Sequence, residues 1–143
     1  MQRAPAKAEV VPTTVEELLA AARATLHRLT PAEAHAAMLA GAQLVDIRSD
    51  SQRAIDGTIT GAAFVSRNVL EWRLDPACPH HDERLTLRDR LLILICNEGY
   101  QSSLAAATAQ RLGPRRVTDV IGGFQAWRAA GLPVEPSTDP MGT

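Results

Sequence analysis

At 143 residues the chain is sized for one domain with a core of its own, which excludes dependence on disulfides or a structural metal. Apolar residues make up 45% and charged residues 22%, and 15 basic against 16 acidic side chains leave a formal charge of -1, which excludes the basic footprint of a nucleic-acid or anionic-membrane binder. No apolar run approaches bilayer length and the opening MQRAPAKAEVVP has no signal-peptide core, so a cytoplasmic protein is expected, with its two cysteines, Cys78 and Cys96, reduced.

Residues 1–12, with two prolines, read as a flexible tail, and residues 135–143 as another. Residues 13–28 form a helical extension: Val15, Leu18, Leu19, Ala22 and Leu26 recur at helical spacing, and Thr14 with Glu17 makes a capping box. In TPAEAHAAMLAG, Thr30 caps, Pro31 fits the first helical position, Glu33 closes the box and Gly41 ends the helix. AQLVDIRS, with Leu44, Val45 and Ile47, reads as a strand, and Ser49 with Gln52 opens a short helix stopped by Gly57.

GAAFV is another brief strand, after which Asn68 and Glu71 frame a helical turn in NVLEWRLD. PACPHHDERLTLRDR is a polar loop. LLILI is apolar without alternation, which predicts a strand covered on both faces in the middle of a parallel sheet. SSLAAATAQRLG places Leu104, Ala105, Ala109 and Leu112 on one helical arc and ends at Gly113 and Pro114; RVTDVI is one more strand. GGFQAWRAAGLP closes with a helix ended by Gly131 and Pro133, its Phe124 and Trp127 directed at the core. Strands alternating with helices predict an open parallel α/β sheet flanked by helices on both faces, with ligands bound beyond the carboxyl ends of the strands.

Cys96 stands at that end of LLILI, before the turn Asn97, Glu98, Gly99, Tyr100, Gln101 and the helix beginning near Ser102, an N-cap candidate. A loop leading into a helix amino terminus collects unpaired N–H donors and a partial positive charge, which favour a thiolate and make it a nucleophile. The alternative is a small buried hydrophobe at a strand end. A C-x5-R phosphatase would carry arginine six positions after the cysteine to grip phosphoryl oxygens bidentately; Ser102 stands there, and Glu98 would repel a phosphate dianion. Cys78, His80 and His81 lack the separated ligand pairs of a structural zinc site, so no metal is expected.

LVDIR, DGTITGAAFV and GGFQAWRAAGLPV, in that order around the cysteine loop, resemble the signatures of the rhodanese-like sulfurtransferases, over residues 29–134. The resemblance implies a single rhodanese-like domain with a five-stranded parallel sheet, preceded here by the extra helix. It implies that Cys96 takes a sulfane sulfur as a persulfide cradled by Asn97, Glu98, Gly99, Tyr100, Gln101 and Ser102, and passes it to cyanide in an assay or a thiol in the cell. Asp46 and Arg48 are implied as loop supports; the plainer reading is a strand-end ion pair. No cofactor is implied, because the sulfur rides on the protein. Partners are a small sulfur donor and a thiophilic acceptor, a protein acceptor included, with no nucleic acid or membrane.

Two departures from the family pattern bear on the donor. Gln101 stands where arginine often helps hold an anionic donor, and Thr58 replaces a usual histidine. Arg67, Trp72 and Arg73 are candidates for the pocket rim, the arginines restoring charge missing at Gln101. The competing reading, from another class, is a non-catalytic rhodanese-like module that carries or senses sulfur or docks a partner.

Overall fold

The computed structural model describes residues 12–87, 89–112 and 116–137. Of the expected tails 1–12 and 135–143, residues 1–11 and 138–143 lie outside these residues, as does the Gly113 and Pro114 helix stop, whereas Glu135 is bridged to Thr58 by two backbone hydrogen bonds.

Local chemistry sets the helix starts. In α1 (Val15–Arg23) the Glu17 N–H donates to the Thr14 hydroxyl while the Thr14 N–H donates to the Glu17 carboxylate, and Thr30 and Glu33 repeat the exchange at α2 (Pro31–Leu39). The backbone N–H of each threonine, followed by its hydroxyl, holds the paired glutamate below the usual carboxylate range. A third box, Ser49 with Gln52, opens α3 (Asp50–Asp56), which stops at Gly57.

Three boundaries differ from the expected ones. The periodicity carries α1 to residue 27, but the helix stops at Arg23, where the N–H groups of Thr25 and Leu26 turn back to Ala22 and Arg23 and the Thr25 hydroxyl also donates to the Ala22 carbonyl. The segment then runs to the sheet, where Leu29 N–H donates to Asp119 O. The turn expected between Asn68 and Glu71 is a 3-10 turn (Arg67–Val69) capped by Ser66, followed by α4 (Leu70–Leu74) without a side-chain cap. Ser102 is not an N-cap: the N-cap of α5 (Gln101–Ala109) is Tyr100, two residues earlier, and Ser102 lies in the first turn.

Among the described residues four parallel strands, β1 (Gln43–Asp46), β2 (Ala63–Phe64), β3 (Leu92–Ile95) and β4 (Val117–Asp119), lie in the order β2-β1-β3-β4. The implied fifth strand is reduced to a single bridge, Leu29 beside Val120. Thr30 leaves to cap α2, and Pro31, the next position that would pair, has no N–H to donate.

β3 is buried along its length because the sheet is covered twice. Leu92 and Leu94 face a cluster with Leu70, Leu74, Leu85, Ala105, Ala106 and Ala109, against which Leu26 packs. Ile93 and Ile95 face Ala34, Leu44, Phe124 and Trp127, brought by α2, β1 and α6 (Gly123–Ala129). An unbroken apolar run is what two covered faces require. No helix of the described residues is long and apolar enough to cross a membrane.

Candidate active site

The chain leaves β1 for β2 on one side and returns to β3 on the other, so the strand order reverses between β1 and β3. Two loops diverge above such a switch point and leave a crevice. Asp46 ends β1 and pairs with Ile95, and Cys96 follows directly on β3.

Cys96 is only 4% exposed, and its sulfur accepts hydrogen bonds from the N–H of Gly99 at 3.1 Å and of Ser102 at 3.3 Å. The second donor lies in the first turn of α5, so the sulfur takes an N–H left unpaired at a helix start and sits at the positive end of the helix dipole. Two N–H donors and a helix terminus thus converge on one point at the strand end, an arrangement suited to holding an anion.

The turn must fold tightly for this. Gly99 has φ +87°, and a Cβ there would lie 2.7 Å from the backbone nitrogen of Gly122. From below, Phe124 N–H donates to the Cys96 carbonyl at 2.8 Å and Gln125 N–H to the Asn97 carbonyl at 3.1 Å, so the start of α6 grips the start of the loop. The Gln125 side-chain amide also donates to Asn97 Oδ1. Asn97 is half-buried, whereas Glu98, Tyr100 and Gln101 are exposed around the sulfur-facing N–H groups.

Asp46 and Arg48 are buried and paired with each other: Arg48 Nη2 lies 2.7 Å from Asp46 Oδ2, and Nε donates to Oδ1 at 3.0 Å. Arg48 Nη2 also donates to the Gly57 carbonyl, and its guanidinium carbon stacks 3.9 Å from the centroid of Phe124. The pair thus braces the residue whose N–H holds the Cys96 carbonyl.

The rim candidates are held within their own segment. Arg67 Nη1 donates to both carboxylate oxygens of Glu71, and Arg73 donates to the His80 carbonyl. Trp72 is 56% exposed and lines a shallow depression with Cys78 and Leu112. Cys78 is a free, half-buried thiol accepting from the His80 N–H, and no described residues form a cluster of three or more His, Cys, Asp or Glu able to hold a metal.

Sequence reasoning missed the buried support beneath the loop. Asp119, fully buried at the end of β4, accepts from the hydroxyls of Ser102 at 2.7 Å and Ser103 at 2.8 Å and from Arg28 at 2.8 and 3.1 Å. Its signal was present: a carboxylate interrupting a strand otherwise rich in valine and isoleucine needs several donors. Arg23 and Arg28 carried no such mark, since arginine on or beside an amphipathic helix ordinarily faces water.

The fold and the site together define a cysteine-loop α/β protein, a class that includes sulfurtransferases and cysteine phosphatases. A family model of the rhodanese-like domain matches residues 30–130. Thiosulfate sulfurtransferase GlpE of Stutzerimonas stutzeri (strain A1501) is 34% identical over 101 residues, covering 71% of this chain and 84% of that protein. A solved structure from Rhodopseudomonas palustris CGA009, described as a protein of unknown function and possible tyrosine phosphatase, matches with a TM-score of 0.81 at 32% identity, over 91% of this chain and 100% of that one. The polysulfide-sulfur transferase homodimer of Wolinella succinogenes shares the fold, with a TM-score of 0.69 at 20% identity over 87% of this chain and 88% of that one. The chain belongs to the rhodanese-like sulfurtransferase family.

Proposed function

We propose that the protein moves a sulfane sulfur from a donor to a thiophilic acceptor through a persulfide on Cys96. The observation that carries this reading is the pair of N–H groups, of Gly99 and Ser102, aimed at the Cys96 sulfur at the switch point of the sheet. The Cys96 thiolate attacks the outer sulfur of the donor; the donor's S–S bond breaks, its electron pair leaves with the remaining thiolate or sulfite, and Cys96–S–S⁻ forms. An acceptor thiolate or cyanide then attacks the terminal sulfur, and the Cys96 thiolate is released. Atoms and electrons balance without an external oxidant, and ping-pong kinetics follow.

The thiolate and the persulfide are both anions, so N–H groups that favour one favour the other. Asn97, Glu98, Tyr100 and Gln101 complete the cradle around the added sulfur, and Asp46 and Arg48 support it through Phe124. Cys96 belongs to a protein of the reducing cytoplasm in this reading.

The mouth bears on the donor. Glu98 and Gln101 are exposed there, and no residue from 96 to 102 is cationic, which favours a low-molecular-weight or protein persulfide over dianionic thiosulfate. The phosphatase description of the R. palustris protein does not transfer, because Ser102 occupies the position a phosphate-gripping arginine requires. The same exposed Glu98 and Gln101 favour, as a second reading, a module that carries sulfur with negligible turnover.

Intact-mass measurement of wild type and Cys96→Ser, after thiosulfate or a small persulfide and then cyanide, tests the proposal. Wild type alone is expected to gain one sulfur and lose it to cyanide. Loading without discharge supports the carrier, and no loading with either donor defeats sulfur transfer by this route for those donors.

A further inference from the structure

Both residues whose N–H groups face the Cys96 sulfur are held from outside the loop, Gly99 at its carbonyl and Ser102 at its hydroxyl. The Gly99 carbonyl accepts from Arg23 Nη2 at 2.7 Å and Arg28 Nη2 at 3.0 Å. Ser102 is held through its hydroxyl by Asp119, which also takes Arg28 in a bidentate pair. We propose that Arg23, Arg28 and Asp119 are positioning residues that keep the Gly99 and Ser102 N–H groups aimed at the sulfur before any donor arrives.

Two guanidiniums converging on one carbonyl repel each other, and a fold that needed only to anchor the segment before α2 would not have to bring both there. Asp119 offsets the charge of Arg28, and the Tyr100 ring lies 5.6 Å from the Arg23 guanidinium carbon. Arg23 Nε also donates to the Ser103 hydroxyl, so one cluster ties α1, the loop and the start of α5 together. Leu29 fixes the approach, its N–H donating to the Asp119 carbonyl and its carbonyl accepting from Ile121. Arg23 and Arg28 precede residues 30–130, so the amino-terminal extension supplies part of this chain's sulfur cradle.

Because the cluster contacts the Gly99 carbonyl and the Ser102 hydroxyl rather than the sulfur, it is assigned to rate rather than donor affinity. Fixed donors that need no rearrangement are worth most where charge develops, and a misplacement of about 1 Å costs on the order of 100-fold. The kinetic part of this inference rests on the proposed sulfur transfer; the structural part does not.

The test uses the full chain as wild type, Arg28→Lys, Asp119→Asn and the Arg23→Met/Arg28→Met double variant, with two readouts. Amide exchange should show the Gly99 and Ser102 N–H groups losing about 10-fold or more of their protection in the double variant while Ile93, Leu94 and Ile95 keep theirs. Turnover with the donor that loads wild type should show kcat falling roughly 10-fold to 100-fold with KM within about threefold, Arg28→Lys recovering part of the loss. Asp119→Asn should loosen Ser102 more than Gly99. Unchanged protection of both amides in the double variant overturns the proposal, as does a loss of protection spread evenly over β3, which would mark a general stabilising role. Selective loss in a protein whose wild type never turns over keeps the positioning role and removes the sulfur-transfer reading instead.

Discussion

Gly99 meets two demands that a residue with a side chain could not: a backbone at φ +87° and a gap too narrow for a Cβ, which would lie 2.7 Å from Gly122 N. Gly99→Ala is therefore expected to cost about 1–3 kcal/mol, read as a lower urea midpoint, and to weaken sulfur loading because its N–H no longer meets the sulfur. A variant with wild-type midpoint and loading would show that the turn tolerates a side chain. Charge at the mouth is separable from geometry beneath it. Gln101 is exposed, so Gln101→Arg should speed loading from thiosulfate roughly 10-fold while leaving loading from an uncharged-tail persulfide nearly unchanged. Equal changes for both donors would remove the electrostatic argument. Cys96 was legible because a strand end, a glycine turn and a helix start adjoin it in sequence. Asp119 escaped notice because all its hydroxyl and guanidinium donors lie at least 16 positions away in the chain.

At the level of elements, the capping boxes were written locally, whereas the end of α1 and the start of α5 were not. All three capping boxes formed because their partners are three residues apart. At α1 and α2 the box carboxylates are held below the usual glutamate value of 4.5, so the stability they contribute is complete above that value and is lost as pH falls through their lower folded values. Glu17→Gln keeps an acceptor for the Thr14 N–H but does not titrate. As pH falls from about 5 to about 3, the protection of the Thr14 amide, taken relative to its intrinsic exchange rate, should fall more in wild type than in this variant; identical acid limbs would remove the box from the acid response. α5 departs from the pattern for a chemical reason. Its N-cap, Tyr100, offers no side-chain bond, Ser102 turns its hydroxyl to Asp119 instead of capping, and the Cys96 sulfur takes the Ser102 N–H. A conventional cap would compete for the donor that the sulfur uses.

Across the whole molecule, the two covered faces make the two tryptophans report on different things. Trp127 is fully buried and donates from Nε1 to the Pro133 carbonyl, whereas Trp72 is mostly exposed. Trp127→Ala should cost about 3–5 kcal/mol in urea denaturation, as expected for an aromatic removed from a core, and a loss below about 1 kcal/mol would contradict its place there. Acrylamide should quench Trp72 in the native state and spare Trp127. The sequence by itself determined the parallel α/β class, the double covering of β3 and the position of Cys96, because each follows from residues within one strand, turn or helix start. Only the tertiary structure decided that the sheet of the described residues has four strands, with Leu29 left as a single bridge, and that Arg23 and Arg28 reach Gly99 across more than 70 positions. It also decided that Asp119 gathers two serines and an arginine under the loop. The physical reason is range: periodicity and capping act within a few residues, whereas a buried carboxylate and a carbonyl shared by two guanidiniums exist only where the folded chain brings distant segments into hydrogen-bond distance.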